Sequence, residues 1–396
     1  GQDIPNSVRG DTRLSTMSSN YKAWPCVPEI KPYQKYGQCG TEMSTMLPNL
    51  GGLADDFCLV RSLHTEAVNH APGVTFMLTG SQIPGRPSMG AWLTYGLGSE
   101  SEDLPAYVVM TSSDKEKTCG QLFYDYYWGS GFLPSKHQGV KFNSAGAPVP
   151  YLNNPTGMSR QGRRSLLDKL STLNLEHYAQ YGDPEIQTRI SQYEMAFRMQ
   201  TSVPELLDFK KEPEHVIKRY GPDVEQRGTF ANNCLTARRL LERGTRFVQL
   251  MHSGWDQHSN LFGQLEQQCV DTDAPSAALI QDLKDRDMLK DTLVIWGGEF
   301  GRTPFGQYNS GDSKKPTGRD HFGRAFSWIM AGAGIKPGSV YGETDEFGWN
   351  ITKGAIHVHD IQATILHLCG IDHEKLTFRY QGRQFRLSDV HGHVVK

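Results

Sequence analysis

The amino-acid sequence predicts an α/β fold, a three-layer α/β/α sandwich with a mostly parallel central sheet. Three observations carry this expectation. Apolar runs of strand length alternate with helical periodicities through roughly the last 170 residues, the pattern of a parallel sheet covered on both faces. One run, Thr292-Leu293-Val294-Ile295-Trp296, reads as a strand buried on both sides. Two helices are closed by glycine, Gly244 after Thr229–Glu242 and Gly370 after His359–Cys369, as helix C-termini commonly are.

Taken in order, residues 1–45 are rich in Pro, Gly, Ser, Tyr and Lys and read as an irregular leader. Residues 46–396 read as a single domain. From Met43 to Leu53 the apolar spacing is helical. Phe57-Cys58-Leu59-Val60 reads as a strand, and after a polar turn Val74–Leu78 reads as the first turns of a helix. A second strand spans Leu104–Met110, after the glycine-rich Gly96–Ser99. Residues from about 120 to about 225 read as an insertion. It opens with a loop crowded with Tyr, Trp, Gly and Pro, including Tyr126-Tyr127-Trp128-Gly129, and continues as a charged helical stretch over 162–220. Then follow the helix Thr229–Glu242, the strand Arg246–Met251, a helix over Ala274–Asp287, the strand Thr292–Trp296, the strand Ala325–Met330 and the helix His359–Cys369. The five apolar strands are expected in one sheet, with Thr292–Trp296 inside it.

A chain of 396 residues can bury a large core, and its 37% hydrophobic and 21% charged residues are ordinary for a soluble globular protein. The net charge is −2 and no long run of one sign occurs, which argues against a nucleic-acid partner held by bulk charge. No stretch approaches the roughly 20 apolar residues of a membrane helix, so no membrane span is expected. Gly1–Gly10 is polar and is not a secretory signal, and position 1 is not Met, so the chain reads as processed, clipped or partly represented. The seven cysteines are scattered without a CxxC, which argues against a zinc ribbon or a thioredoxin-type motif, and an odd count leaves at least one thiol without an intrachain partner.

In such sheets sites form where strands end. After Arg246–Met251 comes His252-Ser253-Gly254-Trp255-Asp256-Gln257-His258, and after Thr292–Trp296 comes Gly297-Gly298-Glu299-Phe300-Gly301-Arg302. Gly318-Arg319-Asp320-His321 precedes the Ala325 strand, and His357-Val358-His359-Asp360 precedes the last helix. The first strand is followed by His64, Glu66, Asn69 and His70. Imidazole together with carboxylate suits zinc, manganese or iron, whereas carboxylates alone suit calcium or magnesium. Plainer readings stand beside this one. His252 or His258 alone could be a hydrogen-bonded loop histidine, and Glu299 between glycines could be a turn residue. His357 and His359 could cap the last helix, and Asp360 could accept from its free N–H groups.

The motifs also carry a family resemblance. Asp291–Phe300, DTLVIWGGEF, resembles the sulfatase stretch in which an apolar strand ends in Asp-Asn, or Asp-His in phosphatases. His359–Gly370, HDIQATILHLCG, is similar to a late helix of the same superfamily. His70–Gly80, HAPGVTFMLTG, matches the spacing of the sulfatase signature. NHAPGVTFMLTG, GRPSMGAWLTYGLGSE, GWDQH, GGEFGRTP, GRDHF and TFRYQGRQFRLSDVHG together resemble a family of secreted sulfatase-like bacterial proteins known as a domain of unknown function, within the alkaline-phosphatase and sulfatase superfamily. The resemblance implies an alkaline-phosphatase-like fold and a periplasmic or secreted location. It also implies an earlier strand and a metal-binding carboxylate preceding residue 1, supplied by a missing N-terminal segment or by a partner chain. His70 occupies the position of the superfamily nucleophile, where Cys, Ser or Thr is usual. Phe300 stands where a metal ligand is usual and cannot bind one.

Two functions from different classes follow. The first is a metal-dependent hydrolase of sulfate or phosphate esters, acting on a small anionic ester or a sulfated or phosphorylated glycan. Its metal ligands are Asp256, His258, Glu299, Asp320 and His321, and the prominence of histidine favours zinc or another transition metal over calcium. His70, Asn69 and Arg302 are its catalytic candidates, His70 as nucleophile or general base and Arg302, with Arg319 as the other candidate, binding the anion's oxygens. His70 is expected at a helix N-terminus, where the dipole favours a neutral ring. The second function is a non-catalytic binding or structural protein on the same scaffold, which the missing hydroxyl or thiol nucleophile favours.

Overall fold

The eight-residue strand Phe57–His64, buried almost throughout, organises the sheet that positions the site. In the computed structural model, which describes residues 2–113, 122–150, 152–308 and 316–396, this strand has neighbours on both edges. On one edge Phe326–Ala331 runs antiparallel to it, and Val294–Trp296 runs antiparallel beside that strand in turn. On the other edge Ser339–Tyr341 and Ile356–His357 pair with it in parallel. A separate sheet holds Val140–Phe142, Tyr107–Ser113 and Phe247–Ser253 in that order.

The fold is thus α/β, but its sheets are small and mixed, and the five apolar strands do not share one. Val294–Trp296 ends its sheet among the described residues and is only half-buried. The physical reason is that an apolar run reports burial, not direction or order. Phe326–Ala331 has both edges paired and is mostly buried although it runs against both neighbours.

The chain divides into two compact units. One comprises residues up to Pro84 and Ser253–Lys396, the other Gly85–Ser112 and Phe123–His252. In the first, the sheet packs on the 25-residue helix Leu261–Asp285 through Phe57, Leu59, Ile280, Ile329 and Ala331. The leader is better ordered than its composition suggests. Tyr33–Tyr36 and Thr41–Ser44 form an antiparallel hairpin. Met43 therefore lies in a strand, and the helix expected over Met43–Leu53 is only Pro48–Gly51. Trp24 stacks between Phe305 and Trp349, 5.7 Å from each, which ties the leader to the later chain. In the second unit, Arg160–Tyr181 and Pro184–Leu207 form a long helical hairpin. Leu206, Val203 and Met199 of its second helix join Val108, Met110 and Leu240 in a core.

Among the described residues Cys26, Cys39, Cys58, Cys234 and Cys269 are free thiols, and Cys119 lies outside those residues. No described helix is long and apolar enough to cross a membrane. The short helix Pro48–Gly51 is held by a buried acid. Asp273 accepts from Asn49 N at 2.9 Å, Asn49 Nδ2 at 2.8 Å and Leu50 N at 2.8 Å. Removing an acceptor of several charge-assisted bonds from a site 2% exposed leaves orphaned donors. Asp273→Ala is expected to lower unfolding stability by about 2–3 kcal/mol. A urea titration reads this, and a change below about 0.5 kcal/mol would contradict it.

Candidate metal centre

His70 is the first residue of the helix His70–Thr79, a short turn after the strand Phe57–His64. Asp256 and His258 lie on the loop past Ser253, and Glu299 and Phe300 just past Val294–Trp296. Arg302 and His321 face one another across the antiparallel pair Gly301–Arg302 and His321–Phe322. Directly opposed residues project from the same face. Two glycines let these segments touch. A Cβ on Gly318 would stand 2.3 Å from the carbonyl carbon of His258, and one on Gly73 would stand 3.0 Å from Glu299 Cγ.

A single oxygen is common to the cluster. Asp256 Oδ1 lies 2.8 Å from His258 Nε2, 2.9 Å from His70 Nε2 and 3.1 Å from His321 Nε2. It also accepts from Arg302 Nη2 at 2.7 Å. His258 Nε2 and His321 Nε2 are 3.1 Å apart. The outer ring nitrogens are all engaged: His258 Nδ1 with Gln307 Oε1 at 2.7 Å, His321 Nδ1 with the Val68 carbonyl at 2.8 Å, and His70 Nδ1 with Glu299 Oε1.

These partners fix tautomers. A carbonyl oxygen only accepts, so Nδ1 of His321 carries a proton, and the amide oxygen of Gln307 imposes the same on His258. In the neutral rings both Nε2 atoms then hold lone pairs that meet each other and the Asp256 carboxylate. Three electron-pair donors within 3.1 Å of one another are compatible only with a cation or extra protons between them. Nitrogen and oxygen donors in this number fit zinc and other first-row metals. The ligand atoms of His70, Asp256 and His321 also lie within 4.8 Å of one another.

Electrostatics follow from the packing. Burial opposes the charge on Asp256, yet hydrogen bonds from His258, His321 and His70, made when these rings carry the extra protons, outweigh it and hold the carboxyl far below the ordinary range. Burial likewise opposes protonation of His70, but hydrogen bonds to Asp256 and Glu299 prevail and raise it to about 9. The helix dipole, which favours a neutral ring, is therefore overridden by two carboxylates. Phe300 walls the cluster, its ring 5.0 Å from that of His70 and 4.9 Å from that of His321.

Not every candidate from the sequence is here. Asp320 is fully buried and faces the leader. It accepts from Ser15 Oγ at 2.7 Å, from Ser18 Oγ and from His321 N at 2.7 Å, so its lone pairs support the loop rather than the cluster. Arg319 donates to the carbonyls of Thr303, Val27 and Pro28. Asn69 is the exposed N-cap of its helix, and its side chain makes no capping bond. His252 Nδ1 lies 2.9 Å from Ser112 Oγ. His357 and Asp360 form a capping box on the helix Val358–Leu368, and His357 Nε2 lies 2.9 Å from Glu66. Sequence reasoning missed Gln307, the Val68 carbonyl and the walling role of Phe300. Only Gly318, directly before Arg-Asp-His, hinted at the close loop approach.

Fold and site together define an α/β protein with a histidine–carboxylate centre suited to a divalent metal. The family described as "Protein of unknown function (DUF1501)" matches residues 3–396, and the chain belongs to it. Among curated proteins none matches the sequence. Solved structures with distant backbone similarity include the PsFucS1 sulfatase from Pseudoalteromonas sp., at 13% identity and TM-score 0.39, covering 83% of this chain and 63% of that one. A phosphonate monoester hydrolase from Silicibacter pomeroyi is 11% identical with TM-score 0.35, covering 82% and 68%. The lipoteichoic acid synthase LtaP from Listeria monocytogenes is 11% identical with TM-score 0.38, covering 96% and 79%. The chain thus spans less than two thirds of the sulfatase's length.

The His70 pKa of about 9 lies above the value of about 6.5 for an unfolded histidine. In metal-free protein its stabilising contribution is full below about pH 6.5 and is lost as pH rises through about 9. Chelator-treated protein is expected to lose urea resistance across that window, with His70→Gln flattening the loss. A wild-type midpoint that stays level there, with the variant parallel to it, would contradict the arrangement.

Proposed function

We propose that this protein is a metal-dependent hydrolase of sulfate or phosphate esters on an alkaline-phosphatase-like scaffold, acting outside the cytoplasm on a small anionic ester or a sulfated or phosphorylated glycan. The observation that carries the proposal is the triangle of Asp256 Oδ1, His258 Nε2 and His321 Nε2, with sides of 2.8, 3.1 and 3.1 Å. These three residues would hold the metal, with zinc or another transition metal favoured over calcium because two donors are imidazole nitrogens. When bound, the metal supplies positive charge against the negative charge that develops on the ester oxygens. Gln307 and the Val68 carbonyl keep the two ligating rings in the required tautomer. Glu299 fixes the ring of His70 through Nδ1, which leaves Nε2 as its reacting nitrogen, nucleophile or base. Arg302 offers a guanidinium beside the centre for the anion's oxygens. Glu299, held by His70, and Asp320, held by the leader, act as supports for the ligand set.

One observation favours a second reading, a non-catalytic binding protein. The helix that begins at His70 offers no hydroxyl or thiol in its first turn, where the resembling superfamily carries its nucleophile.

Metal analysis of the purified protein followed by an ester screen with each metal found separates the two. About one transition-metal ion per chain is expected, falling at least tenfold in occupancy for Asp256→Asn and His321→Ala. Hydrolysis of an aryl sulfate or aryl phosphate is expected to vanish in His70→Ala while metal content persists. Metal bound without turnover of any ester supports the binding protein, and a metal-free native protein sinks both roles for the centre.

A further inference from the structure

The helix Arg160–Tyr181 carries two apolar seams, and the fold uses one. Its inner seam packs on Pro184–Leu207, with Leu167 the sole residue of this helix that is buried. Arg164 belongs to the same contact: it bonds Glu194 at 2.8 and 2.5 Å, and its guanidinium lies 5.0 Å from the Phe197 ring. The outer seam is Leu166, Leu170, Leu173, His177 and Tyr181. The spacings are four, three, four and four, which keep one stripe on a helix in the manner of a coiled-coil seam. Leu166 is 43% exposed, Leu173 54% and Tyr181 69%. Leu175, also exposed, falls on the opposite side and is an isolated surface leucine of the ordinary kind. Long helices in proteins owe most of their stability to packing of an apolar face, and this helix of 22 residues leaves most of one such face exposed among the described residues, with Leu170 half-buried and Leu166, Leu173, His177 and Tyr181 exposed.

We propose that this outer seam is the interface of a two-fold symmetric dimer, in which Arg160–Tyr181 lies antiparallel against the same helix of a second copy. The seam is complementary to itself in that orientation, as a two-fold contact demands. With the axis beside Leu173, Leu166 meets the partner's Tyr181, Leu170 meets the partner's His177, and the two Leu173 side chains adjoin. The flanking charges select the same register. Lys169 and Glu176 lie on one edge of the seam, both exposed, and among the described residues neither forms an ion pair within the chain. The antiparallel register sets Lys169 opposite the partner's Glu176 and repeats that pair by symmetry. Two helical hairpins joined in this way make a four-helix layer, the arrangement in which an exposed helical seam commonly finds its core.

Sedimentation velocity on the full chain tests this. Wild-type protein is expected to be dimeric at tens of micromolar. Leu173→Glu should raise the dimer dissociation constant at least tenfold with an unchanged far-ultraviolet circular dichroism spectrum. Lys169→Glu and Glu176→Lys should each weaken the dimer several-fold, and the two together should restore it. Leu173→Cys should form an interchain disulfide on mild oxidation, whereas Leu175→Cys should not. A monomeric wild type, or a dimer indifferent to both Leu173→Glu and the charge reversals, overturns the proposal.

Discussion

The Asp256 carboxylate is the constraint around which the first unit is arranged. One of its oxygens accepts from a guanidinium and lies within 3.1 Å of three imidazole nitrogens. A half-buried carboxylate is costly unless its charge is answered. Here the answer comes from four segments far apart in sequence: the start of the helix His70–Thr79, the loop of His258, the strand Gly301–Arg302 and the strand His321–Phe322. Each segment must therefore be held from behind. Glycine at 318 lets one loop lie on another, the pairing of Arg302 with His321 sets two side chains on one face, and Asp320 ties the loop to Ser15 and Ser18 of the leader.

The supports also explain why buried acids that flank the cluster differ in role. Asp320 precedes His321 directly, yet its oxygens are saturated by two serine hydroxyls and a backbone N–H. A carboxylate so engaged has little left to offer a metal, but it fixes the backbone from which His321 projects. Among the described residues Asp256 accepts from no hydroxyl or backbone N–H in this way. Its partners are all titratable or cationic side chains, so its environment responds to the arrival of a cation, whereas that of Asp320 does not.

Much of the candidate site was legible because its polar residues stand where apolar runs stop. Asp256 and His258 follow one strand, Glu299 another, and His321 precedes a third, and a charge placed there is costly unless used. What the sequence could not convey was direction. Asp320 and His321 are adjacent in sequence, but which of them faces the cluster depends on the pleat of a two-residue strand. The sheet suffered similarly. The periodicity of Phe57–Val60 and Ala325–Met330 announces burial, while the antiparallel return of the second depends on the connection between them, which leaves no hydrophobic signature. Gln307 was invisible for a third reason: an amide that orients a histidine is chemically unremarkable until the ring it touches is known.

Charge at the centre gives the last step. With His70 neutral, Asp256 and Glu299 contribute two negative charges and Arg302 one positive. The set is then short of one positive charge, which His70 supplies by holding a proton between the two acids. A divalent ion placed among Asp256, His258 and His321 would reverse that balance and leave the centre positive by one even after His70 released its proton. Such a site favours an anionic occupant over a neutral one. Phe300, against the rings of both His70 and His321, keeps water from one side and so strengthens that preference.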